Sequence, residues 1–478
     1  MDTASFQFVI FGLTVALISN VRRSCLWRSI VLLIASIVFL GLLAGNPIDL
    51  LPLAGFVMLG YVALVPLKRG WSRSITWSVL VIIFAYTWLK KYTFLPDAVV
   101  SHTPYFTLGL SYIFFRILHV LIESGDGGEK RHIGLGAFLL YNLNFTTLVS
   151  GPIQRYDEFA RDQFVDEPIP LGSRVIGTQL ERIIRGFFKV NVLAMLLHAI
   201  QDDAVAQMHQ PFPLALKLFA AFQLALVYPL FLYSNFSGYI DIVIALARLM
   251  RVRLPENFDR PFSASSVLNF WNRWHMTLSS WLKTYVYNPL LMALMSRFTS
   301  LAMQPFLGVF CFFVTFFLIG IWHGRTSEFV FFGVLNGAGI SINKLWQLGL
   351  IRALGRKGYK TLASEPVYEA LGRGLNFVWF AFILFWFWGS WQQIGSIFAA
   401  LSVVQWLSVW LAAWMFATVT LAFWEWLRAA LLSIKTPDGP LLANRYVRVV
   451  FATALGLTAV VLTGLLNQPA PGIVYKAF

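Results

Sequence analysis

The chain has 478 residues, of which 58% are hydrophobic and 12% charged, roughly half the charged share of a soluble globular domain. So few charges cannot cover a water-facing surface, and a mean hydropathy of +0.69 excludes an ordinary soluble enzyme. The net charge of +15 does not point to nucleic acid, because no long basic stretch lies outside the apolar segments; crowding of Lys and Arg into cytoplasmic loops accounts for it.

Met1 to Phe6 lacks the basic start of a cleaved signal, and Asp2 is acidic, so the first apolar run, Phe8–Ile18, reads as a retained anchor. Apolar runs follow at Ile30–Ala44, Leu50–Leu67, Ile75–Leu89, Tyr105–Ile122, Leu135–Val149, Ile183–Ile200 and Leu214–Leu232. Others lie at Phe306–Trp322, Phe329–Ile342, Phe377–Trp388, Leu407–Leu427 and Val449–Leu466. A span needs about 20 apolar residues, so these runs predict an all-α polytopic bundle of about 11 crossings. The shorter runs fit tilted, re-entrant or interior segments.

Basic residues alternate between the early loops: Arg22, Arg23 and Arg28 after the first run, Lys68, Arg69 and Arg73 after the third, Lys130 and Arg131 after the fifth. Asn46, Pro47 and Asp49 follow the second. This pattern places the N-terminus outside, with Lys90 and Lys91 dissenting. Cys25 and Cys311 make neither a disulfide framework nor a zinc site. No internal repeat or low-complexity tract is visible, and the chain reads as one membrane domain over 1–478.

Two polar stretches, Ser150–Arg182 and Arg248–Lys283, break the apolar rhythm. The second mixes Pro255, Pro261, three Trp and His275. Such a segment at membrane depth must be buried in protein or line a wet cavity. Read as one helix, Phe270–Trp281 places Trp271, His275, Ser279 and Leu282 on one face. His275 suits proton transfer near neutral pH; the stretch equally fits an interfacial aromatic-basic helix whose His only bonds a neighbour. His323 ends the apolar run Phe312–Trp322, where a histidine facing lipid is costly and marks a functional cavity. Gly320 and Gly324 beside it allow close approach of backbone or ligand; a helix-capping or snorkelling role is the other reading. His102, His119, His132, His198 and His209 have no comparable surroundings. Asp241, in the mostly apolar Tyr233–Asp241 stretch, needs a partner, for which Arg273 is a candidate.

Metal binding is not expected. His275 and His323 are 48 residues apart, with no HxxxH, HExxH or CxxC beside either. There is no Gly-x-Ser-x-Gly elbow, and the Gly125–Gly128 run lacks the Lys-Ser/Thr of a phosphate loop.

Taken together, five motifs in order resemble the membrane-bound O-acyltransferase (MBOAT) family in its bacterial branch. They are Ser150–Tyr156, Phe236–Tyr239, Leu254–Phe258, Phe270–His275 with Leu278–Trp281, and Gly320–Gly324, spread over about residues 105–345. The resemblance implies a helical bundle with re-entrant segments around a central tunnel. It implies acyl transfer from a cytosolic thioester, acetyl-coenzyme A or an acyl-carrier protein, to a hydroxyl, with no bound cofactor. His323 inherits the essential catalytic place and His275 the second. Substrate contacts are expected from Trp274, Arg273, Asn272, Ser279, Trp322, Asp241 and Arg155. Some motifs look like the teichoic acid D-alanyl transfer protein, others like the alginate O-acetyltransferase membrane subunit. From the latter the chain departs at Leu291–Leu294 and at Asn336, where that type usually has a Gly-Gly-basic stretch and another His.

Both relatives modify cell-envelope glycopolymers, so the implied setting is a bacterial cytoplasmic membrane, with an extracytoplasmic polymer and a periplasmic or extracellular partner protein. Arg248, Arg251 and Arg253 are candidates to attract an acidic donor. A transporter would carry matched inverted halves, which are not seen here, and a dead scaffold subunit would lack one of the two histidines.

Overall fold

The computed structural model describes residues 5–68, 74–96, 98, 105–125, 133–436, 439–441, 444–466 and 472. Asp2, Arg69, Arg73, His102, Asp126–Gly128, Lys130, Arg131 and His132 lie outside the described residues. Backbone amides in hydrocarbon can be satisfied only within the protein, and the chain meets this demand with helices. Among the described residues the one ladder joins Lys435–Thr436 to Gly439–Pro440.

Eight described helices are long and apolar enough to cross a bilayer: Cys25–Ala44, Pro47–Leu67, Ser173–His209, Leu214–Leu249, Gln304–His323, Pro366–Trp388, Val403–Ser433 and Arg445–Leu465. Phe6–Ser19 and Ile75–Lys90 are shorter apolar helices. On Val403–Ser433 the exposed apolar residues Val404, Leu407, Leu411, Met415, Val419 and Phe423 recur at helical spacing, an apolar stripe suited to lipid. That helix opens on a capping box in which Ser402 and Gln405 satisfy each other's backbone N–H groups. The chain is an all-α, multi-pass membrane protein.

The helices fall into two compact units. The first takes the described residues of Met1–Val190, Phe236–Glu256 and Gly472–Phe478, and the second those of Asn191–Asn235 and Asn257–Pro471.

In the first unit, Phe8, Phe39 and Phe145 are fully buried against one another, with ring centroids 5.5 to 6.3 Å apart. The helices Ser173–Phe188 and Val227–Leu249 touch at two glycines: a β-carbon on Gly186 would strike the carbonyl of Gly238, and one on Gly238 the carbonyl of Gly186. Lys90 and Lys91, which disturbed the charge pattern, are tied into the fold. Lys90 is buried and donates to Ser111 Oγ at 3.0 Å, and the Lys91 ammonium sits 4.1 Å over the Tyr105 ring. They are not free loop charges.

In the second unit, Gln304–His323 and Ser327–Ala363 form a hairpin closed by Gly324, Arg325 and Thr326. Gly333 and Gly337 form a GxxxG pair whose β-carbons would strike the carbonyls of Phe317 and Phe313. Gly320 lies against the Gly333 backbone, so the glycine before Trp322-His323 serves a helix contact. Replacing Gly320 by Ala is expected to cost about 1–3 kcal/mol of overpacking strain, read as a lower thermal-unfolding midpoint in detergent. Gly349→Ala, whose β-carbon meets nothing within 4 Å, should leave the midpoint unchanged or slightly raised.

Candidate active site

His323 is the last residue of Gln304–His323 and is buried. Its ring packs edge-on against Phe387 at 5.2 Å and Phe332 at 5.9 Å between centroids. The preceding Trp322, also buried, lies 4.7 Å from it. Trp322 also meets His275 edge to face at 6.2 Å, so one indole touches both imidazoles. Trp271 docks on Phe316 at 5.1 Å, which ties the His275 segment to the helix that carries His323.

The segment around His275 is not one helix. It breaks into Val267–Trp271 and Met276–Leu282, followed by a π-helical turn at Lys283–Tyr287. The break falls at His275 itself, which adopts a left-handed conformation, φ 45° and ψ 51°. The expected shared face of Trp271, His275 and Ser279 is therefore absent, because a left-handed residue reverses the helical path. A bulky residue there carries strain of about 1–3 kcal/mol. It is held by pairing with 257–259: Met276 N–H donates to the Asn257 carbonyl at 3.0 Å, and Asp259 N–H to the Arg273 carbonyl at 2.9 Å. Phe258 and Trp274 form an antiparallel bridge. The Asn257 amide oxygen lies 3.2 Å from His275 Nδ1. Asn257, fully buried, was not singled out from the sequence; its place in the polar Leu254–Phe258 stretch was the available signal.

The other expected contact residues sit as follows. Trp274 is buried among Phe258, Phe270 and Phe380, with centroids 5.1 to 5.5 Å away. Arg273 Nε donates to Asn269 at 3.1 Å, and its Nη1 lies 3.5 Å from the Asp259 carboxylate. Ser279 Oγ donates to the Trp274 carbonyl at 3.4 Å. Asn272 is exposed. Asp241 and Arg155 belong to the first unit, where Arg155 is an exposed residue at the start of Tyr156–Gln163. Asn336, where a histidine was the alternative, is buried and donates to the Phe332 carbonyl at 2.9 Å.

Asp241 does not pair with Arg273. Its carboxylate takes Arg182 Nε at 2.9 Å and Lys189 Nζ at 2.8 Å, and Arg182 makes a two-pronged bond to Glu256 at 2.7 and 2.6 Å. The physical reason is the glycine contact of Gly186 with Gly238, which brings the basic helix Ser173–Phe188 and its continuation against Asp241. The three basic residues proposed for donor attraction have structural ties. Arg248 donates to the Pro170 carbonyl, Arg251 to Asn20 and the Ile169 carbonyl, and Arg253 to Asp162. Arg253 lines, with Glu158, Arg161, Asp162, Leu254 and Pro255, a cleft of about 290 Å³. Its lining mixes both charges and includes neither catalytic candidate. Among the described residues no three His, Cys, Asp or Glu side chains gather as a metal cage would require.

These features define a multi-pass membrane protein with two buried histidines packed on a shared tryptophan. The profile of "MBOAT, membrane-bound O-acyltransferase family" matches residues 74–368. The chain is 30% identical over 292 residues to the "Teichoic acid D-alanyltransferase" of Streptococcus thermophilus, covering 58% of this chain and 68% of that protein. It is 27% identical over 280 residues to the Bacillus subtilis protein of the same name, with the same coverage. It is 29% identical over 327 residues to a "Probable alginate O-acetylase" of Pseudomonas fluorescens, covering 66% of this chain and 61% of that protein. The chain belongs to the membrane-bound O-acyltransferase family.

Two consequences are measurable. Asp241→Ala leaves two cations without their shared anion and should cost about 3–5 kcal/mol, seen as a lower unfolding midpoint in detergent. His275 lies outside the eight spanning helices, and burial pushes its imidazole down to about 3. Above pH ~6.5 the imidazole is neutral in both folded and unfolded chains. Below that, the unfolded chain binds a proton the folded chain refuses, so stability falls with pH by up to about 1.4 kcal/mol per unit until the folded value is reached. The unfolding midpoint should drop between pH 7 and pH 5, and His275→Gln should flatten that dependence.

Proposed function

We propose that this protein moves an acyl group, acetyl in the first reading, from a cytosolic thioester to hydroxyls of an extracytoplasmic cell-envelope polysaccharide, or to a partner protein that completes the transfer. The setting is the bacterial cytoplasmic membrane. Family membership supports acyl transfer, and the relatives' names, alginate O-acetylase and teichoic acid D-alanyltransferase, support an envelope polymer as acceptor. The observation that carries the residue assignment is the burial of His275 and His323 against one indole, at 6.2 and 4.7 Å between ring centroids.

In this reading His323 is the general base. A hydroxyl is a weak nucleophile until its proton is removed in the transition state. His323 takes that proton as the oxygen attacks the thioester carbonyl. The tetrahedral adduct then collapses, the C–S bond breaks, and the proton passes from the imidazolium to the departing thiolate. A neutral His275 assists by accepting or donating a hydrogen bond beside the reacting atoms. The apolar rings of Phe332, Phe387 and Trp322 keep bulk water from a thioester that would otherwise be hydrolysed. Acetyl-coenzyme A or an acylated carrier protein supplies the thioester. The second reading, D-alanyl transfer to a teichoic-acid-like polymer, rests on the 30% identity to the streptococcal relative.

His323→Ala should lower acylation of the envelope polymer in cells by about 100-fold or more, with the variant present in the membrane at the normal level. Mass spectrometry of the polymer separates acetyl from D-alanyl. Unchanged acylation at normal protein level would remove the catalytic assignment.

A further inference from the structure

Asn257 is fully buried and makes a convergent set of contacts. Its side-chain oxygen lies 3.2 Å from Thr277 N, 2.8 Å from Thr277 Oγ1 and 3.2 Å from His275 Nδ1. Its own carbonyl takes the Met276 N–H. Amide oxygen and nitrogen look alike, so which one faces His275 must follow from the network. Here one partner settles it. The backbone N–H of Thr277 can only donate, so the atom it faces is the amide oxygen. An amide oxygen only accepts, so the imidazole nitrogen beside it must carry a hydrogen. A neutral imidazole has one such hydrogen. With Nδ1 protonated, Nε2 holds the lone pair.

The geometry points to a role that no motif assigned. We propose that Asn257 is a positioning residue that locks His275 as the Nδ1–H tautomer and so makes Nε2 the nitrogen able to accept a proton or hydrogen bond during acyl transfer. The part that concerns transfer rests on the reading of His275 and His323 as the reacting pair; the part that concerns the tautomer does not. The lock acts on ring orientation as well as on the proton. His275 sits in a left-handed conformation, and Asn257 grips it at three successive places: the ring of His275, the backbone of Met276, and the backbone and hydroxyl of Thr277.

A role confined to holding the Met276–Leu282 helix in place would alter stability and nothing else. Two measurements separate the roles. The first is two-bond proton–nitrogen correlation NMR on the full-length protein, labelled with nitrogen-15 histidine and purified in detergent at pH 7.5. The His275 signals are identified by their loss in His275→Gln. The Nδ1–H pattern is expected, and an Nε2–H pattern overturns the proposal whether or not the chain transfers acyl groups. The second compares Asn257→Leu, which removes the acceptor, with Asn257→Asp, which keeps it. Polymer acylation at matched membrane levels should fall about tenfold or more in the Leu variant, as for a histidine freed into the wrong tautomer. The Asp variant should keep most of it. Equal loss in both, or no loss in the Leu variant while His323→Ala abolishes transfer, overturns the positioning role. Transfer that survives His323→Ala instead removes the functional reading and leaves the tautomer to the spectrum.

Discussion

A backbone amide in a hydrocarbon layer has no water to turn to, and the rest of this structure follows from that shortage. Spanning segments meet it by remaining helical over nearly all of their length. Helix ends cannot, because their last carbonyls have no partner within the helix. Two buried arginines serve these ends. Arg28 donates to the carbonyls of Asp162, Gln163 and Val165, at the close of Tyr156–Gln163. Arg116 donates to those of Tyr141, Asn142 and Thr147, at the close of Leu135–Leu143. A guanidinium offers five donors in a rigid fork and keeps its charge when buried, which lysine does less well. The same shortage explains Asn257, whose backbone and side-chain oxygens satisfy the amides where the chain turns at His275.

Where the chain must leave the helix, its shape is set by what it pairs with. The stretch from Asn257 to Tyr287 folds on itself through the Phe258–Trp274 bridge and the Ser266 cap on Asn269. A cluster of aromatic rings encloses it: Phe262, Phe270, Trp274 and Phe380. Large rings give much buried area with few rotatable bonds, which suits a segment that must hold a strained histidine. Beside it, the glycine contacts of Gln304–His323 with Ser327–Ala363 bring two backbones together and set His323 at the closed end of their hairpin. Rigid surroundings for both histidines follow from packing that contains little adjustable side chain.

Much of this was legible in the residues. The apolar runs predicted the helices, and His275 and His323 stood out because a histidine among apolar neighbours needs a reason. The five motifs in order pointed to the family that the comparisons established. Other features were illegible for identifiable reasons. Phe270–Trp281 has a helical pattern, but periodicity carries no signal for one left-handed residue, so the break at His275 was invisible. Asp241 was matched with Arg273 because a carboxylate in a mostly apolar stretch needs a cationic partner and Arg273 lies in the polar stretch that follows. Its partners, Arg182 and Lys189, lie 59 and 52 residues earlier, placed there by Gly186 and Gly238, whose contact no local pattern announces. Lys90 and Lys91 looked like loop charges because burial is not written in a dipeptide.

The sequence by itself determined the solvent of this protein, its helical class and its family, and it drew attention to two histidines, His275 and His323, set among apolar neighbours. Those follow from composition and from motifs, which are local and additive. Only the tertiary structure decided which groups the polar residues meet: Trp322 between the imidazoles, Arg182 and Lys189 on Asp241, and Asn257 on His275. Such pairings depend on close approach of distant segments, and in a medium without water each buried polar group must take whichever partner the packing delivers.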